Sequence, residues 1–283
     1  MESPLFSVLI ANFNNGHYID EAIGSVISQS YTNWEIIIVD DASSDNSKEV
    51  LNKYENNSNI RIFYNKVNKG CGYTKNICAN HAKGEISGFL DPDDKIAINA
   101  IELMVKSHKT NKTASLIYST FYFFKENSKN HEISNFPYQI PEKSSYLHQR
   151  SGRISHFATF KTILYNKTGG IDPKFIRAVD QDLYFKLEEV GKLIFINKPL
   201  YYYRINENSI SNFGNRKKAV SWALVARIDA CKRRNISIEE IIPNILEDEE
   251  NVKQLFLKSI EFRLGEIILR PIRFVKSKLG LYK

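Results

Sequence analysis

Three carboxylates follow a run of apolar residues in the segment GFLDPDDKI (88–96). Asp91, Asp93 and Asp94 surround a single proline, and like charges this close together repel unless a partner compensates them. Hard cations such as Mg²⁺ and Mn²⁺ prefer carboxylate oxygens and often keep phosphate oxygens as further ligands. The segment therefore predicts a divalent-cation site beside a charged substrate, with a solvated Asp-Pro turn as the alternative.

A second pair of acids, Asp40 and Asp41, ends the apolar segment WEIIIVDD (34–41). A carboxylate at the end of a buried strand could accept hydrogen bonds from ribose hydroxyls or from the N–H of a nucleobase. The alternative is a helix N-cap, which the following SSD (43–45) could also provide. The residues alone leave both interpretations open.

A third pair, Asp180 and Asp182, stands where a helical pattern begins in AVDQDL (178–183). A carboxylate there could act as a general base if it reaches the hydroxyl of an acceptor. The alternative is a pair of acids that complements the positive end of the helix dipole.

The segment NKGCGYTKN (68–76) joins a predicted strand to a predicted helix. Its glycines allow a close approach of the backbone, and Lys75 could face a phosphate. The spacing is neither that of a P-loop nor that of a dinucleotide-binding glycine motif, so no nicotinamide cofactor is predicted. A flexible turn is the alternative.

The elements that must position these residues follow from hydrophobic periodicity. Apolar runs bounded by turn residues predict strands, and apolar residues at helical spacing predict helices between them. Strands alternating with helices favour a mostly parallel sheet with helices on both faces, where ligands bind at the carboxyl ends of strands. Strands are predicted at 6–11, 34–41, 59–65, 85–90 and 114–124, a helix from about Asp20, a loop region at 127–150, a helix at 177–191, and one or two strands at 192–205 split near Pro199.

Composition narrows the class of protein. The 283 residues suffice for one large α/β domain or for one domain with an appendage. No apolar run approaches a membrane span, no signal peptide is visible, and three unpaired cysteines favour a reducing cytoplasm. The net charge of +7 is concentrated from residue 215 onward, where 15 Lys and Arg residues stand against 9 Asp and Glu residues. The apolar pattern of the same segment is helical, with breaks at Pro243 and Pro271.

Taken together, these segments resemble the family-2 glycosyltransferases. SVLIANFNNGHYIDEAIGSVISQSYTNWEIIIVDDASSDNS (7–47) is similar to the N-terminal signature of that family, and FLDPDD to its metal-binding D-x-D region. NKGCGYTKN resembles its N-x-G-x-x-x-A-R-N segment, with Lys75 in place of Arg. AVDQDLYFKL resembles its E-D-x-x-L segment, with Val179 in place of Glu. The resemblance covers about residues 6–211.

The resemblance implies an A-type glycosyltransferase fold, a Rossmann-like, mostly parallel sheet flanked by helices. It divides the chain into a catalytic domain (1–214), with a nucleotide-sugar-binding half (1–110) and an acceptor-binding half (111–214), and a helical basic extension (215–283). The implied reaction is inverting transfer from a nucleotide-diphospho-sugar, with UDP as the default, assisted by Mn²⁺ or Mg²⁺. The implied acceptor is a saccharide or lipid-linked hydroxyl in the synthesis of cell-surface polysaccharide or lipopolysaccharide.

The resemblance also implies roles for single residues. Asp180 would deprotonate the acceptor hydroxyl, and Asp93 would hold the metal. Asp182 and Arg204 would contact the acceptor. The residues implied to bind the nucleotide-sugar are Ala11 and Phe13 at the nucleobase, Asp40, Asp41, Asn68, Gly70, Lys75, Asp91 beside the ribose, and Asp94 near the sugar.

Three residues depart from the family pattern, and two of them, Val179 and Asn206, together with the basic C-terminal segment support an alternative. That alternative is a non-catalytic membrane-associated protein that binds nucleotide-sugars on the same fold. Lys75 keeps the charge of Arg but lacks its planar fork. Val179 removes an acid, and Asn206 stands where many relatives have His. If that position holds metal in relatives, the metal site here is weaker.

The C-terminal segment 263–283 carries six basic residues and one acid, interleaved with apolar residues. Such a tail can lie on an anionic membrane surface, where each cation adds about 1 kcal/mol. The expected location is therefore cytoplasmic, with peripheral attachment to the inner face of the membrane. The alternative is a helix packed on the catalytic body. No nucleic-acid-binding motif is present.

Overall fold

The computed structural model describes residues 3–126, 131–205 and 216–241. Asn206, the predicted breaks at Pro243 and Pro271, and the basic tail at 263–283 lie outside these ranges. Within the described ranges no helix is long and apolar enough to span a bilayer.

The described residues form nine strands, seven α helices and two short 3₁₀ turns. The strands are β1 Phe6–Asn12, β2 Trp34–Asp40, β3 Ile60–Tyr64, β4 Ile86–Phe89, β5 Lys95–Ile96, β6 Ala114–Phe124, β7 Glu132–Ile133, β8 Ala158–Lys161 and β9 Lys192–Arg204. The helices are α1 Ile19–Ile27, α2 Ser47–Asn52, α3 Cys71–His81, α4 Ala100–Thr110, α5 Thr162–Tyr165, α6 Val179–Glu188 and α7 Arg216–Arg234. The 3₁₀ turns are Tyr146–His148 and Asn166–Thr168.

All nine strands belong to one sheet, in the order β3-β2-β1-β4-β8-β6-β9-β5, with β7 paired to β6. β3, β2, β1 and β4 are parallel to one another, and β6 is parallel to β9. β8 runs antiparallel to β4 and β6, and β5 runs antiparallel to β9. The prediction of a mostly parallel sheet flanked by helices is confirmed.

Each face of the sheet has its own apolar core because side chains alternate along a strand. In β1, Val8 and Ile10 point to a core shared with α1, α2 and α4, and in β2 Ile36 and Ile38 do the same. Leu9 points to the opposite core, which includes residues of α3, α6 and α7. Burial on both faces explains why these strands are continuous apolar runs in the sequence.

The connection from β4 to β5 crosses the ends of three other strands. Four strand spacings cover about 19 Å in a flat sheet, and the six Cα–Cα steps from Phe89 to Lys95 span about 20 Å only when fully extended. This connection is not extended, because the Asp94 N–H donates to the Asp91 carbonyl at 3.1 Å. The sheet must therefore curl so that β5 and β9 approach the end of β4.

The fold settles one segment that the sequence left open and corrects the prediction for a second one. Residues 192–204 form one strand, not two, because β9 bulges where Pro199 lacks an N–H. The pairing with β6 jumps there from Ser119↔Ile196 to Thr120↔Pro199. The predicted loop region at 127–150 is partly ordered, since its described residues 131–150 contain β7 and the 3₁₀ turn Tyr146–His148. The guanidinium of Arg227 on α7 holds this turn by donating to the carbonyls of Leu147 and Gln149, each at 2.6 Å.

His108 of α4 is a buried imidazole with one hydrogen-bonded nitrogen. Its Nε2 lies 3.0 Å from the Thr159 hydroxyl, which donates to the Ile117 carbonyl at 3.2 Å. Nε2 must therefore carry the proton, and Nδ1 is buried without a partner. Burial, helped by the charge of Lys161, lowers the pKa of His108 from 6.5 to about 3.

We expect this histidine to make the fold sensitive to acid. Because its pKa is lower in the folded state, the unfolded state binds the extra proton, so stability falls as the pH drops from 6.5 towards 3. Between pH 7 and pH 5.5, the free energy of unfolding should fall by about 1 kcal/mol less in His108→Leu than in wild type, as measured by urea denaturation. An unchanged pH dependence in the variant would show that the pKa of His108 is the same in the folded and unfolded states.

Candidate active site

The acids predicted to form a site converge at one edge of the sheet. β1 lies between β2 and β4, and its last residue, Asn12, pairs with Asp40. On the other side, the Leu90 N–H donates to the carbonyl of Leu9 in β1 at 3.0 Å, so Asp91 follows directly at the same edge. The end of β1, with half-buried Ala11 and 44 % exposed Phe13, thus separates the two acidic segments.

Asp40 is buried and joins the ends of β1 and β2. Its carboxylate accepts hydrogen bonds from the Asn12 side chain at 2.7 Å and from the Ser43 hydroxyl and N–H at 2.6 and 2.9 Å. These bonds fix the loop after β2. A contact between Asp40 and a nucleotide stays a prediction, and the geometry supports a positioning role.

Asp41 is also buried, and it organises the loop before α3. One oxygen accepts from the Asn65 side chain at 2.7 Å and from the Lys69 N–H at 2.9 Å, and the other accepts from the Gly70 N–H at 2.8 Å. Gly70 has a φ of 89°, which only glycine adopts easily. Asn68 is exposed on the loop that these bonds hold.

The start of α3 packs closely against residues 171–176. A Cβ at Gly72 would lie 2.1 Å from the carbonyl oxygen of Phe175, so no larger residue fits there. The Asn76 side chain also donates to the Ile171 carbonyl at 2.8 Å. This contact brings the N-terminus of α6, where Asp180 is exposed, towards Lys75 in the first turns of α3.

Lys75 forms an ion pair with Asp91, with 3.2 Å between Nζ and Oδ1. Burial disfavours the ammonium, but Asp91, with smaller contributions from Cys71 and Asp180, outweighs it and raises the pKa of Lys75. Burial likewise opposes ionisation of Asp91, yet Lys75 and then His156 lower the pKa of that carboxyl. Both members of the pair are therefore charged at neutral pH.

Asp94 points away from the other acids and into the protein. It is 2 % exposed and accepts hydrogen bonds from the Tyr201 hydroxyl at 2.8 Å and from the Arg204 N–H at 2.7 Å. Burial, together with the charges of Asp93 and Asp91, raises the pKa of Asp94 well above its usual value. Direct contact between Asp94 and a donor sugar stays a prediction, and the geometry supports an anchoring role.

Arg204 contacts the same turn on its buried side. Its Nε donates to the Asp93 carbonyl at 2.7 Å, and its guanidinium pairs with Glu21 of α1. The guanidinium also lies over the ring of Tyr18, 4.6 Å from the centroid. Since Arg204 is only 4 % exposed, the structure favours a positioning role over the predicted contact with an acceptor.

Asp182 is likewise committed to a buried ion pair. Its carboxylate lies 2.6 Å from Lys186 Nζ and 3.5 Å from Arg233 of α7. Residues two apart on a helix point to opposite sides, so Asp182 faces α7 while Asp180 is exposed. For Asp182 too, the structure favours a stabilising contact over the predicted one with an acceptor.

The donor set of the turn fits a divalent cation that arrives with a substrate. Asp91 and Asp93 are half-buried, whereas Asp94 is turned inward. In the described part of the chain, no three His, Cys, Asp or Glu side chains are grouped as metal ligands. Mg²⁺ and Mn²⁺ sites of this kind use one or two carboxylates and complete the shell with water and substrate phosphates.

His156 belongs to this site but was not singled out in the sequence. It is half-buried just before β8, acts electrostatically on Asp91, and stacks on the Tyr201 ring with 4.6 Å between centroids. A lone histidine outside any motif carries no spacing signal. Only the pairing of β8 with β4 and β6 reveals its place.

Comparison with known proteins decides the family. The model of the family described as "Glycosyl transferase family 2" matches residues 7–169. The chain belongs to this family. The match includes the acids at the ends of β2 and β4 and the whole of α3, and it confirms the resemblance seen in the sequence.

Among curated proteins, the chain is similar to a chondroitin synthase of Pasteurella multocida, with 32% identity over 279 residues. The match covers 97% of this chain but only 28% of that synthase. The chain therefore spans little more than a quarter of the length of this relative.

Solved structures share the fold at lower identity. S. aureus TarS (residues 1–349) in complex with UDP-GlcNAc matches with a TM-score of 0.69 and 18% identity, over 92% of this chain and 78% of the TarS chain. A mannosyltransferase from Pyrobaculum calidifontis in complex with GDP-Man and Mn²⁺ matches with a TM-score of 0.64 and 15% identity, over 100% of this chain and 82% of the other.

We expect Gly72→Ala to separate α3 from residues 171–176. Its Cβ would clash with the Phe175 carbonyl, and overpacking of this kind costs about 1–3 kcal/mol. The midpoint of thermal unfolding should fall, and affinity for UDP, measured by calorimetry, should weaken because Lys75 is carried on the same helix.

Gly24→Ala in α1 is the matched control, since nothing lies within 4 Å of its added Cβ. It should leave the fold unchanged or stabilise it by up to about 1 kcal/mol. Equal stability of the two variants would contradict the close packing at Gly72.

Proposed function

We propose that this chain transfers a sugar from a nucleotide-diphospho-sugar to a hydroxyl group, with inversion at the anomeric carbon. The observation that carries this proposal is the charged Lys75–Asp91 pair at the end of β4, with exposed Asp180 close enough to act electrostatically on Lys75. A phosphate-binding cation, a carboxylate for the donor and a base for the acceptor thus share one crevice.

The donor would lie across the carboxyl ends of β2, β1 and β4. Ala11 and the exposed ring of Phe13 would border the nucleobase, with the loop held by Asp41 on the other side. Asp91 would face the ribose. UDP is the nucleotide that we propose, supported by the TarS complex with UDP-GlcNAc.

The reaction would be a single displacement. Asp180 would accept the proton of the acceptor hydroxyl as its oxygen attacks the anomeric carbon, while the bond from that carbon to the diphosphate oxygen breaks. Lys75 would face the diphosphate, whose negative charge grows as it leaves. Mn²⁺ or Mg²⁺, held by Asp93, would neutralise part of that charge.

The product class that we propose is a polysaccharide. The chondroitin synthase relative supports it, and the acceptor would then be a saccharide or lipid-linked hydroxyl in the synthesis of a cell-surface polymer. The halves 1–110 and 111–214 would bind donor and acceptor, respectively. Contact of the tail at 263–283 with an anionic membrane belongs to the same proposal, and that tail lies outside the described residues.

One observation favours the alternative of a non-catalytic protein that binds nucleotide-sugars. Val179, which replaces the usual Glu before Asp180, is 3 % exposed and packs in the core beneath α6. The acid that relatives carry is therefore replaced by an apolar contact. Turnover separates the two functions, because both would bind the donor.

Asp180→Asn is expected to abolish transfer while leaving donor binding almost intact. Loss of a general base costs about 10²–10⁴-fold in rate, whereas Asp180 is not placed against the nucleotide. Release of UDP measures turnover, and calorimetry with Mn²⁺ measures donor affinity. Asp229→Asn on α7 is the control and should transfer at the wild-type rate. Wild-type transfer by Asp180→Asn would exclude it as the base.

Asp93→Asn should remove the dependence of donor binding on metal. In wild type, thermal-shift screening of nucleotide-sugars with Mn²⁺ should give a strong shift with one donor, and chelation with EDTA should reverse it. The variant should show only the small shift seen without metal, since one carboxylate ligand is lost. Asp20→Asn on α1 is the control, and a full Mn²⁺-dependent shift in Asp93→Asn would assign the metal to another residue.

A further inference from the structure

Aromatic side chains line both faces of the paired ends of β6 and β9. The two parallel strands place Phe121 opposite Tyr201, Tyr122 opposite Tyr202, and Phe123 opposite Tyr203. Because side chains alternate along a strand, the middle pair points to one face and the outer two pairs point to the other.

Three rings on the second face form what we call the aromatic wall: Phe123, His156 and Tyr203. His156 is nearly parallel to Tyr203, with 5.6 Å between centroids and 24° between planes. Phe123 meets Tyr203 edge to face at 5.9 Å and 87°. All three rings are half-buried, whereas Phe121 and Tyr201 beneath them are buried.

The aromatic wall adjoins the acidic turn of the candidate active site. Tyr201, on which His156 stacks, accepts a hydrogen bond from the Asp91 N–H at 3.2 Å and donates one to Asp94. In the sheet, β8, β6 and β9 follow β4 on the side opposite to β1 and β2. The crevice therefore has the nucleotide loops at one end and the aromatic wall at the other.

We propose that the aromatic wall binds a saccharide ring of the acceptor, an inference that rests on the proposed glycosyl transfer. A sugar ring has an apolar C–H face and a polar hydroxyl edge. Flat side chains with an apolar face and a polar tip, such as Tyr203 and His156, complement both. Their half-buried rings are held in fixed planes, so little conformational entropy is lost on binding.

The position of the wall fits an acceptor better than a donor. The nucleotide would occupy the ends of β2 and β1, its ribose would face Asp91 at the end of β4, and the donor sugar would follow beyond the diphosphate. The next strands in the sheet carry the wall, so a second sugar seated there would lie beside the first. Its hydroxyl would then face the anomeric carbon, where Asp180 is proposed to remove the proton.

Saturation-transfer NMR tests this directly on the full chain with UDP and Mn²⁺. The probes are four disaccharides: chondroitin disaccharide, lactose, cellobiose and diacetylchitobiose. When aromatic protons of the protein are irradiated, their saturation should be transferred to the C–H protons of at least one probe. Tyr203→Leu should weaken that binding by roughly threefold to tenfold, and UDP affinity measured by calorimetry should stay unchanged.

Tyr202→Leu is the matched control, because Tyr202 is the next residue, equally half-buried, and stacked on Tyr122 on the other face at 4.9 Å. It should keep wild-type binding of the disaccharide. If Tyr203→Leu fails to fold, as judged by its unfolding temperature, Phe123→Leu tests the same wall.

Two results would overturn the inference: no disaccharide contacts the wild-type chain, or the wall variants bind as well as Tyr202→Leu does. Either result, combined with normal UDP binding and turnover, would exclude the aromatic wall as an acceptor-binding surface and would leave the proposed function in place. Absence of UDP binding and turnover in the wild-type chain would instead remove the proposed function itself.

Discussion

The hydroxyl group of Tyr201 is the contact on which the candidate site depends. It makes hydrogen bonds with both ends of the acidic turn, since it accepts one from the N–H of Asp91 and donates one to the carboxyl of Asp94. A buried carboxyl without hydrogen-bond partners would cost free energy. Here the Arg204 N–H donates a second hydrogen bond to Asp94. With Asp94 held inside, the turn presents Asp91 and Asp93 at the surface of the crevice.

The same division of labour recurs around the crevice. Hydrogen bonds to loops and strand ends are made by Asp40, Asp41 and Arg204. The surface of the site is formed by Lys75, Asp91 and Asp180. Electrostatic catalysis needs charges that are already in place before the transition state, because reorganising them costs energy. Under the proposed function, the buried groups would provide that fixed frame, while the direct contacts of Asp40, Asp41 and Arg204 with substrates stay predictions.

The sequence predicted β1 to β4, β6 and β9 and the identity of the motifs, because burial on both faces leaves a continuous apolar run such as that of β2, Trp34–Asp40. It did not predict the short strands β5, β7 and β8. It could not show which acids face inward. Nothing next to Asp182 or Arg204 in the sequence marks these side chains as buried, and their burial depends on ion pairs with Arg233 and with Glu21, which is 183 residues from Arg204. His156 escaped prediction for the same reason, since its importance comes only from strand pairing.

The curl of the sheet gives the acidic turn a second task. Residues 90–94 carry the acids, and they also form the only covalent link across the ends of β8, β6 and β9 between β4 and β5. Apart from Asp91, Asp93 and Asp94, side chains within this link can be exchanged as long as the strands stay paired. Its length cannot vary in the same way, since one residue more or less would shift β5 along β9 and turn its side chains to the wrong face. In homologous chains, the turn should therefore differ in composition before it differs in length.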